Sequence, residues 1–361
     1  MAQVIRVALV GLGNVGRAFL ELMRTKRWVL RERYGLELVL TGAADSTGAA
    51  LGAGQIDPAN LLRHKQAGHG AGQYPRLGHR GMPATEMVRQ VEADVLLEAS
   101  PVNVRTGQPG LDCVRIALQR GMSVILANKG PLVVAYRELM DLAVPLQSSS
   151  VSTGNEGGWP KAEWRPQRLR FSATVCGALP VLNMGQRDLV ACEIQRIEGI
   201  LNSTTNYILT AMEAGDSFDQ ALRQAQAEGV AESDPSLDIQ GWDTANKLVI
   251  IANAVLGVPI TLKDVDMLGI QYITPDDLAA ARARGQTVKL VAVAQRQDGS
   301  YRFSVHPAAL PLSHPLASIT GWEMGIVWHT DIMGTQFAKV DERGPMPTAA
   351  AMLRDLINLY R

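Results

Sequence analysis

An α/β fold in two domains is what the 361-residue chain predicts, on three observations. Val4–Val10 (VIRVALV) is a continuous apolar run, as expected of a strand buried on both faces. It passes at once into Gly11-Leu-Gly13-Asn-Val-Gly16 and a helical pattern from Arg17 to about Leu30. Strands and helices then alternate to about residue 145 and resume in a different, α+β order after about residue 168. The prediction is an N-terminal Rossmann-type dinucleotide-binding domain over 1–150 and a second α+β domain over 151–344. A terminal helix, 345–361, is expected to return to the first domain.

Composition narrows the function classes. Lys+Arg and Asp+Glu are both 35, so the net charge is zero, and nothing favours nucleic acid or an anionic membrane as partner. Cys113, Cys176 and Cys192 have neither disulfide-framework nor metal-ligand spacing. Leu248–Ile260, the longest apolar region, is interrupted by Asn253, Gly257 and Pro259 well short of a membrane span. The N-terminus has no signal-peptide pattern. A reduced, cytoplasmic, water-soluble protein is the expectation.

In the first domain, Gly11 permits the tight turn, Gly13 lets a pyrophosphate approach, and Gly16 lets helix and strand pack closely. Asn14 and Val15 complete the loop, and free helix N–H groups would bind the phosphates. A second strand, Glu37–Ala44, ends at Asp45, which reads as acceptor for the ribose hydroxyls, favouring NAD, or as a loop cap. Arg63 and Lys65 would instead meet a 2′-phosphate, so NAD and NADP both stay open. Gly52–Met82, rich in glycine and histidine, reads as a surface loop without metal-ligand spacing. Strand Asp94–Glu98 leads to Ser100, a further cofactor-lining candidate. Helix Leu111–Arg120 and strand Ser123–Ala127 follow, and that strand leads into Asn128-Lys129-Gly130-Pro131. Lys129 thus stands at the carboxyl end of a strand, where ligands bind in this fold, or is a solvated loop lysine.

Gln147–Gln167 reads as a linker. A strand at Leu169–Val175 is expected to open the second domain. Ile194–Leu201 reads as another strand, ending in Asn202-Ser-Thr204-Thr205-Asn206 before a helix. Those hydroxyls and amides are caps or donors to a bound carboxylate. Helices Asp219–Glu228 and Pro275–Arg284, strands Thr287–Gln295 and Tyr301–Val305, and a last helix Pro347–Tyr360 complete the pattern.

The most informative stretch is Glu228–Lys247, carboxylates gathered before a helix. Pro235 after Asp234 reads as the helix start. Trp242, Ala245, Leu248, Val249, Ala252 and Leu256 recur on one face at a period near 3.6. Asp243 and Lys247, four apart, lie on another. Taken alone they are a surface ion pair worth about 0.3–0.5 kcal/mol or part of a site.

Three segments together resemble the homoserine dehydrogenases: ANKGPL at Ala127–Leu132, GILNSTTNYIL at Gly199–Leu209, and AESDPSLDIQGWDTANK at Ala231–Lys247. GLGNVG at Gly11–Gly16 and PTAAAML at Pro347–Leu353 fall in the expected order. The chain is similar to the short form of the family, without aspartokinase or a regulatory ACT domain. The resemblance implies NAD(P)-dependent interconversion of L-homoserine and L-aspartate 4-semialdehyde, in threonine and methionine biosynthesis. Such a reaction needs a general acid/base at the C4 oxygen. By matching positions Lys247 is that group, Lys129 its partner near the nicotinamide, and Asp243 holds the hydroxyl or orients Lys247. Glu232 pairs with the substrate ammonium, and Thr204 and Asp238 line the pocket. Val175 and Gly177 match carbonyl ligands of a monovalent cation (Na or K). A homodimer through the second domain is implied, as is a crevice in which Lys129 faces Lys247.

Departures stand beside the matches. SATVCGALP, with Ser172 for the usual glutamate, replaces the family's E-A-x-V-G-G-x-x-P. Ser203 replaces a glycine and Val230 a tyrosine. A small GxGAG-like loop reads Val340-Asp-Glu-Arg-Gly344, and two carboxylates there would repel cofactor phosphates unless Arg343 neutralises them or the loop turns away. These departures keep two alternatives open: a catalytically impaired NAD(P)-binding homologue or redox sensor, and a dehydrogenase for another amino-acid aldehyde.

Overall fold

The computed structural model describes residues 2–53, 56–144 and 168–361. The chain divides into two compact units, Met1–Ala173 with Thr348–Arg361, and Thr174–Pro347. The linker read at Gln147–Gln167, and with it the expected boundary at 150, lies outside the described residues.

The first unit is built on seven strands: β1 (Gln3–Val10), β2 (Leu36–Asp45), β3 (Gly48–Leu51), β4 (Gly78–Arg80), β5 (Val95–Glu98), β6 (Ser123–Leu126) and β7 (Leu169–Arg170). Their order is β4-β3-β2-β1-β5-β6-β7, with β2-β1-β5-β6-β7 parallel and β3 and β4 antiparallel additions. The order reverses between β1 and β5, so the carboxyl ends of these strands open a crevice of the kind in which α/β sheets bind ligands. Ile5, Val7, Leu9, Val95 and Leu97 are buried because helices cover both faces of such a sheet.

Several expectations change here. The helix read as continuous to Leu30 is two, Asn14–Thr25 and Arg27–Tyr34, the second ended by Gly35 at φ +66°. Gly52–Met82 is not a bare loop. Asp57 caps helix Pro58–Gln66 by accepting from the Ala59 N–H, and Gly78–Arg80 pairs with β3. Glycine and histidine content concealed this order: Asp57-Pro58 is a local helix-start signal, and only the pairing of Gly78–Arg80 with β3 is a tertiary choice. Leu169–Val175 is a strand only at Leu169–Arg170, and it closes the first sheet rather than opening a second.

The terminal helix Met346–Tyr360 packs Ala349, Met352 and Leu356 into the core of this unit. Its Asp355, buried, accepts from the Ser172 N–H at 2.8 Å and hydroxyl at 2.7 Å, and Arg354 donates to the same hydroxyl at 2.9 Å. Burial raises the Asp355 carboxyl above its ordinary pKa, opposed by the Ser172 hydrogen bonds and nearby arginines. The serine that departs from the family pattern is therefore the partner of a carboxylate supplied by another element.

The second unit carries a six-stranded sheet, order β13-β12-β8-β10-β11-β9. Its members are β8 (Ile194–Ile200), β9 (Val265–Met267), β10 (Gln286–Gln297), β11 (Ser300–Pro311), β12 (Glu323–Thr330) and β13 (Thr335–Asp341). All neighbours are antiparallel except β9 with β11. β9, β12 and β13 are additions to the elements read from the sequence. Helices Ser203–Glu213 and Trp242–Ile251 pack on the sheet.

The helix read as starting at Pro235 is also two. Pro235 flanks the short Ser236–Ile239 turn, whose Ser236 N–H donates to Asp234 at 3.1 Å. Gly241, at φ +87°, then re-aims the chain into Trp242–Ile251. Thr244–Ile251 is buried on every side, so one-face amphipathicity understated its depth.

Asp355→Ala leaves two buried Ser172 donors without an acceptor and is expected to cost about 2–4 kcal/mol. Urea denaturation checks this, and an unchanged midpoint would show that the Ser172–Asp355 link is dispensable.

Candidate functional site

Each unit presents a group of candidate residues. In the first, Gly11 adopts φ +93°, and a side chain there would collide with the Ala99 carbonyl and the Ser100 N–H group. A side chain at Gly16 would collide with the Gly11 carbonyl, whereas Gly13 has nothing within 4 Å of its missing Cβ. The turn therefore needs glycine at two positions for packing and leaves the third open to solvent. Helix Asn14–Thr25 has no side-chain cap and no acid in its first turn. Its free N–H groups and positive dipole end suit a pyrophosphate, so the residues present fit a dinucleotide. Asn14 accepts from Arg17 at 2.8 Å, and Arg17 also donates to the Gly13 carbonyl at 3.3 Å, placing a cation against this turn. Val15 packs against the core of the unit.

Asp45 is firmly held. Its Oδ1 accepts from the Thr47 N–H at 2.9 Å and hydroxyl at 2.6 Å, and its Oδ2 accepts from Lys65 Nζ at 2.6 Å and the Ala71 N–H at 3.0 Å. These bonds outweigh burial and lower its pKa. Both alternatives raised for Lys65 and Asp45 thus meet in one ion pair, set on an ordered helix and turn. Arg63 instead donates to Asn60.

The carboxyl ends of β5 and β6 are tied together. Ser100 donates its N–H to Glu98 Oε1 at 2.9 Å and accepts from the Asn128 amide at 3.2 Å, while Asn128 Oδ1 accepts from the Gly130 N–H at 2.9 Å. Lys129 stands between them, partly buried, at the start of helix Gly130–Leu142. Sequence reasoning passed over Glu98. It is fully buried, its Oε2 has no hydrogen-bond partner among the described residues, and burial pushes its pKa up to about 7 against the Ser100 and Asn128 hydrogen bonds. The available signal was an acid closing an apolar strand, VLLE.

In the second unit, the Glu228–Lys247 stretch meets the Asn202 helix start. Lys247 Nζ pairs with Asp243 Oδ2 at 2.7 Å and donates to the Leu201 carbonyl at 2.5 Å. The two side chains are only 10% and 14% exposed, so the surface-pair reading does not apply. Asn202 Nδ2 donates to Asp238 at 2.7 Å and to Asp243 at 2.8 Å, while its Oδ1 caps helix Ser203–Glu213 at the Thr205 N–H. One amide thus caps a helix and bridges two carboxylates. Burial would lower the Lys247 pKa, but Asp243, with Cys176 and Asp238 nearby, more than reverses this and holds it above its ordinary value.

Thr204 is buried, its hydroxyl donating to the Val230 carbonyl at 2.9 Å. That bond holds the turn before Glu232, whose side chain is exposed and whose carboxylate makes no hydrogen bond or ion pair among the described residues. Val175 is fully buried, and Gly177 lies under Glu342. Among the described residues no group of three His, Cys, Asp or Glu side chains could hold a metal ion. The 340–344 loop turns one acid inward and pairs the other. Glu342 turns inward and accepts from the Ala178 N–H at 3.0 Å, and Arg343 Nε pairs with Asp341 at 3.2 Å.

A folded chain that keeps a proton on Glu98 loses stability as pH rises from the ordinary 4.5 to about 7, because the unfolded chain releases that proton first. Glu98→Gln is therefore expected to raise stability by about 1–3 kcal/mol at pH 8 and to give no gain near pH 5. Equal gains at both pH values would show that Glu98 is not held neutral.

Residues 180–357 match the family model described as homoserine dehydrogenase. The chain is 35% identical to the homoserine dehydrogenase of Methanocaldococcus jannaschii, over 98% of each chain. It is 33% identical to the NAD(+)-dependent homoserine dehydrogenase of Pseudomonas canavaninivorans, over 99% of this chain and 96% of that one. The crystal structure of a putative homoserine dehydrogenase from Archaeoglobus fulgidus superimposes with a TM-score of 0.83 at 36% identity, covering 99% of both chains.

Proposed function

The chain belongs to the homoserine dehydrogenase family, and from that premise we propose how its residues carry out the NAD(P)-dependent interconversion of L-homoserine and L-aspartate 4-semialdehyde. The observation that carries the reading is the buried Lys247 ammonium, held by Asp243 and the Leu201 carbonyl. The bound nicotinamide supplies the redox chemistry at C4 of the substrate. The free N–H groups after Gly13, with Gly11 and Gly16 permitting close approach, would hold the pyrophosphate, and Asp45 with Lys65 would meet the adenosine ribose.

Lys247, charged at rest, acts as the acid that protonates the C4 oxygen when the aldehyde is reduced. Asp243 keeps the ammonium charged and aimed, and Asn202 keeps Asp243 in place. In the oxidation direction Lys247 must first release its proton, so this direction gains with rising pH. Glu232, exposed and without a partner among the described residues, is suited to take the substrate ammonium; Asp238 and Thr204 shape the polar wall. Lys129, at the carboxyl end of β6, is assigned to the nicotinamide side. The inward turn of Glu342 and the Asp341–Arg343 pair support activity over the impaired-homologue reading, because one carboxylate is buried on a main-chain N–H and the other is ion-paired.

A second copy of the chain is assigned to the sheet face away from the helices. Ile200, Val291, Leu310 and Val327 form a small apolar cluster there, covered by the turn at Pro315–Ser318. Phe337, paired in register with Val327, continues the cluster and is 39% exposed. A homodimer would bury Phe337 at the exposed margin of this cluster, whose other members are already 0–7% exposed within one chain, and sedimentation as a monomer at micromolar concentration would count against it.

Lys247→Ala is expected to lower kcat/KM for homoserine oxidation by at least about a hundredfold, the scale of general acid–base catalysis. Absorbance of the reduced nicotinamide measures this, and near-normal turnover would assign the proton transfer elsewhere. Asp243→Asn removes the main influence that raises the Lys247 pKa and leaves burial to lower it. The rise of oxidation rate with pH is then expected to begin at lower pH; an unmoved profile would exclude this role for Asp243.

A further inference from the structure

Cys176 sits in a backbone conformation that disfavours it. Its φ is +54°, in the left-handed region, and it is followed by Gly177 at +49°. A residue with a Cβ pays roughly 1–2 kcal/mol there, and glycine would adopt it freely. The conformation is held from outside. The Glu342 carboxylate lies against Gly177, where any side chain would collide with it, and accepts from the Ala178 N–H at 3.0 Å. The strained residue therefore does not relax, and its side chain is aimed.

What it is aimed at is the Leu201 carbonyl. The Cys176 thiol, only 3% exposed, donates to that oxygen at 3.5 Å, and Lys247 Nζ donates to the same oxygen at 2.5 Å. A carbonyl oxygen has two lone pairs, so both donors are accommodated and its direction is defined by both. Lys247 has its other hold on Asp243. Of its two anchors, one is thus a main-chain oxygen shared with a cysteine in a disfavoured conformation. Such conformations persist where the surroundings over-determine them, and they cluster at functional sites.

We propose that Cys176 is a positioning residue for proton transfer: its thiol shares the Leu201 carbonyl with Lys247 and so fixes where the ammonium sits. The proposal rests on the reading of Lys247 as the proton donor. Cys176 acts through Lys247 and does not itself transfer a proton.

The test is a double-mutant cycle on the full chain, with homoserine oxidation followed at saturating cofactor. Cys176→Ala, which removes only the sulfur, is expected to lower kcat roughly tenfold with KM for homoserine changed less than about twofold, as for a misplaced catalytic group. Cys176→Ser, with a hydroxyl able to donate to Leu201, should return kcat to within about threefold of the parent. In the Lys247→Ala background, Cys176→Ala should cost less than about twofold, since the group it positions is gone. Cys176→Gly, which releases the strain, should keep or raise the thermal midpoint while losing kcat as the alanine variant does. An undiminished kcat in Cys176→Ala, with Lys247→Ala inactive, overturns the proposal and leaves the reading of Lys247 intact. Equal losses in both backgrounds, or no rescue by serine, overturn it in favour of plain packing. A nearly normal Lys247→Ala enzyme removes the reading of Lys247, and the proposal with it.

Discussion

The second unit is arranged around the constraint of keeping one ammonium group out of water. Lys247 is buried, and a buried charge persists only if paired and hydrogen-bonded. Asp243 supplies the charge and Leu201 the carbonyl, and Asn202 must then hold Asp243. Helix Ser203–Glu213, strand β8 and helix Trp242–Ile251 converge there because their ends carry these groups. Breaking a buried pair by removing one partner costs about 3–5 kcal/mol, so the site is also a structural link.

The first unit answers a different constraint, the close approach of backbone to backbone. Gly11 and Gly16 are needed because their missing side chains would occupy the Ala99 and Gly11 carbonyls. Gly13 has nothing within 4 Å of its missing Cβ, so its flank stays open. Glu98 joins the β5 and β6 ends through Ser100 and Asn128, so the loop carrying Lys129 is braced by a buried acid held close to neutrality.

The departures from the family pattern are compensated from distant parts of the chain. Ser172 receives its carboxylate from Asp355, 183 residues away, and the loop at Gly177 receives Glu342. Arg343 offsets Asp341 within its own turn. A glutamate absent from one segment and acids added to another looked like defects in the linear pattern; in the folded chain Asp355 and Glu342 satisfy the main-chain donors of Ser172 and Ala178, and Asp341 pairs with Arg343.

By itself the sequence determined the strand–GxGxxG–helix unit, the helices near 111–120, 207–214, 219–228, 275–284 and 347–360, and the adjacency of Asp243 and Lys247. These depend on local spacing: two buried faces for Val7–Val10 of β1, though Val4 and Arg6 are exposed, a period near 3.6, and a four-residue separation that makes neighbours on a helix. Through a resemblance of whole segments it also pointed to Thr204, Asp238 and Glu232 as candidates. Tertiary structure alone decided that the pair is buried, that Asn202 bridges two carboxylates, and that Cys176 and Lys247 share one carbonyl. It also moved Leu169–Arg170 into the first sheet and ordered the 56–82 segment. The physical reason is common to all of these. Burial, shared acceptors and strand pairing depend on groups brought together across tens or hundreds of residues, and periodicity along the chain carries no record of those meetings.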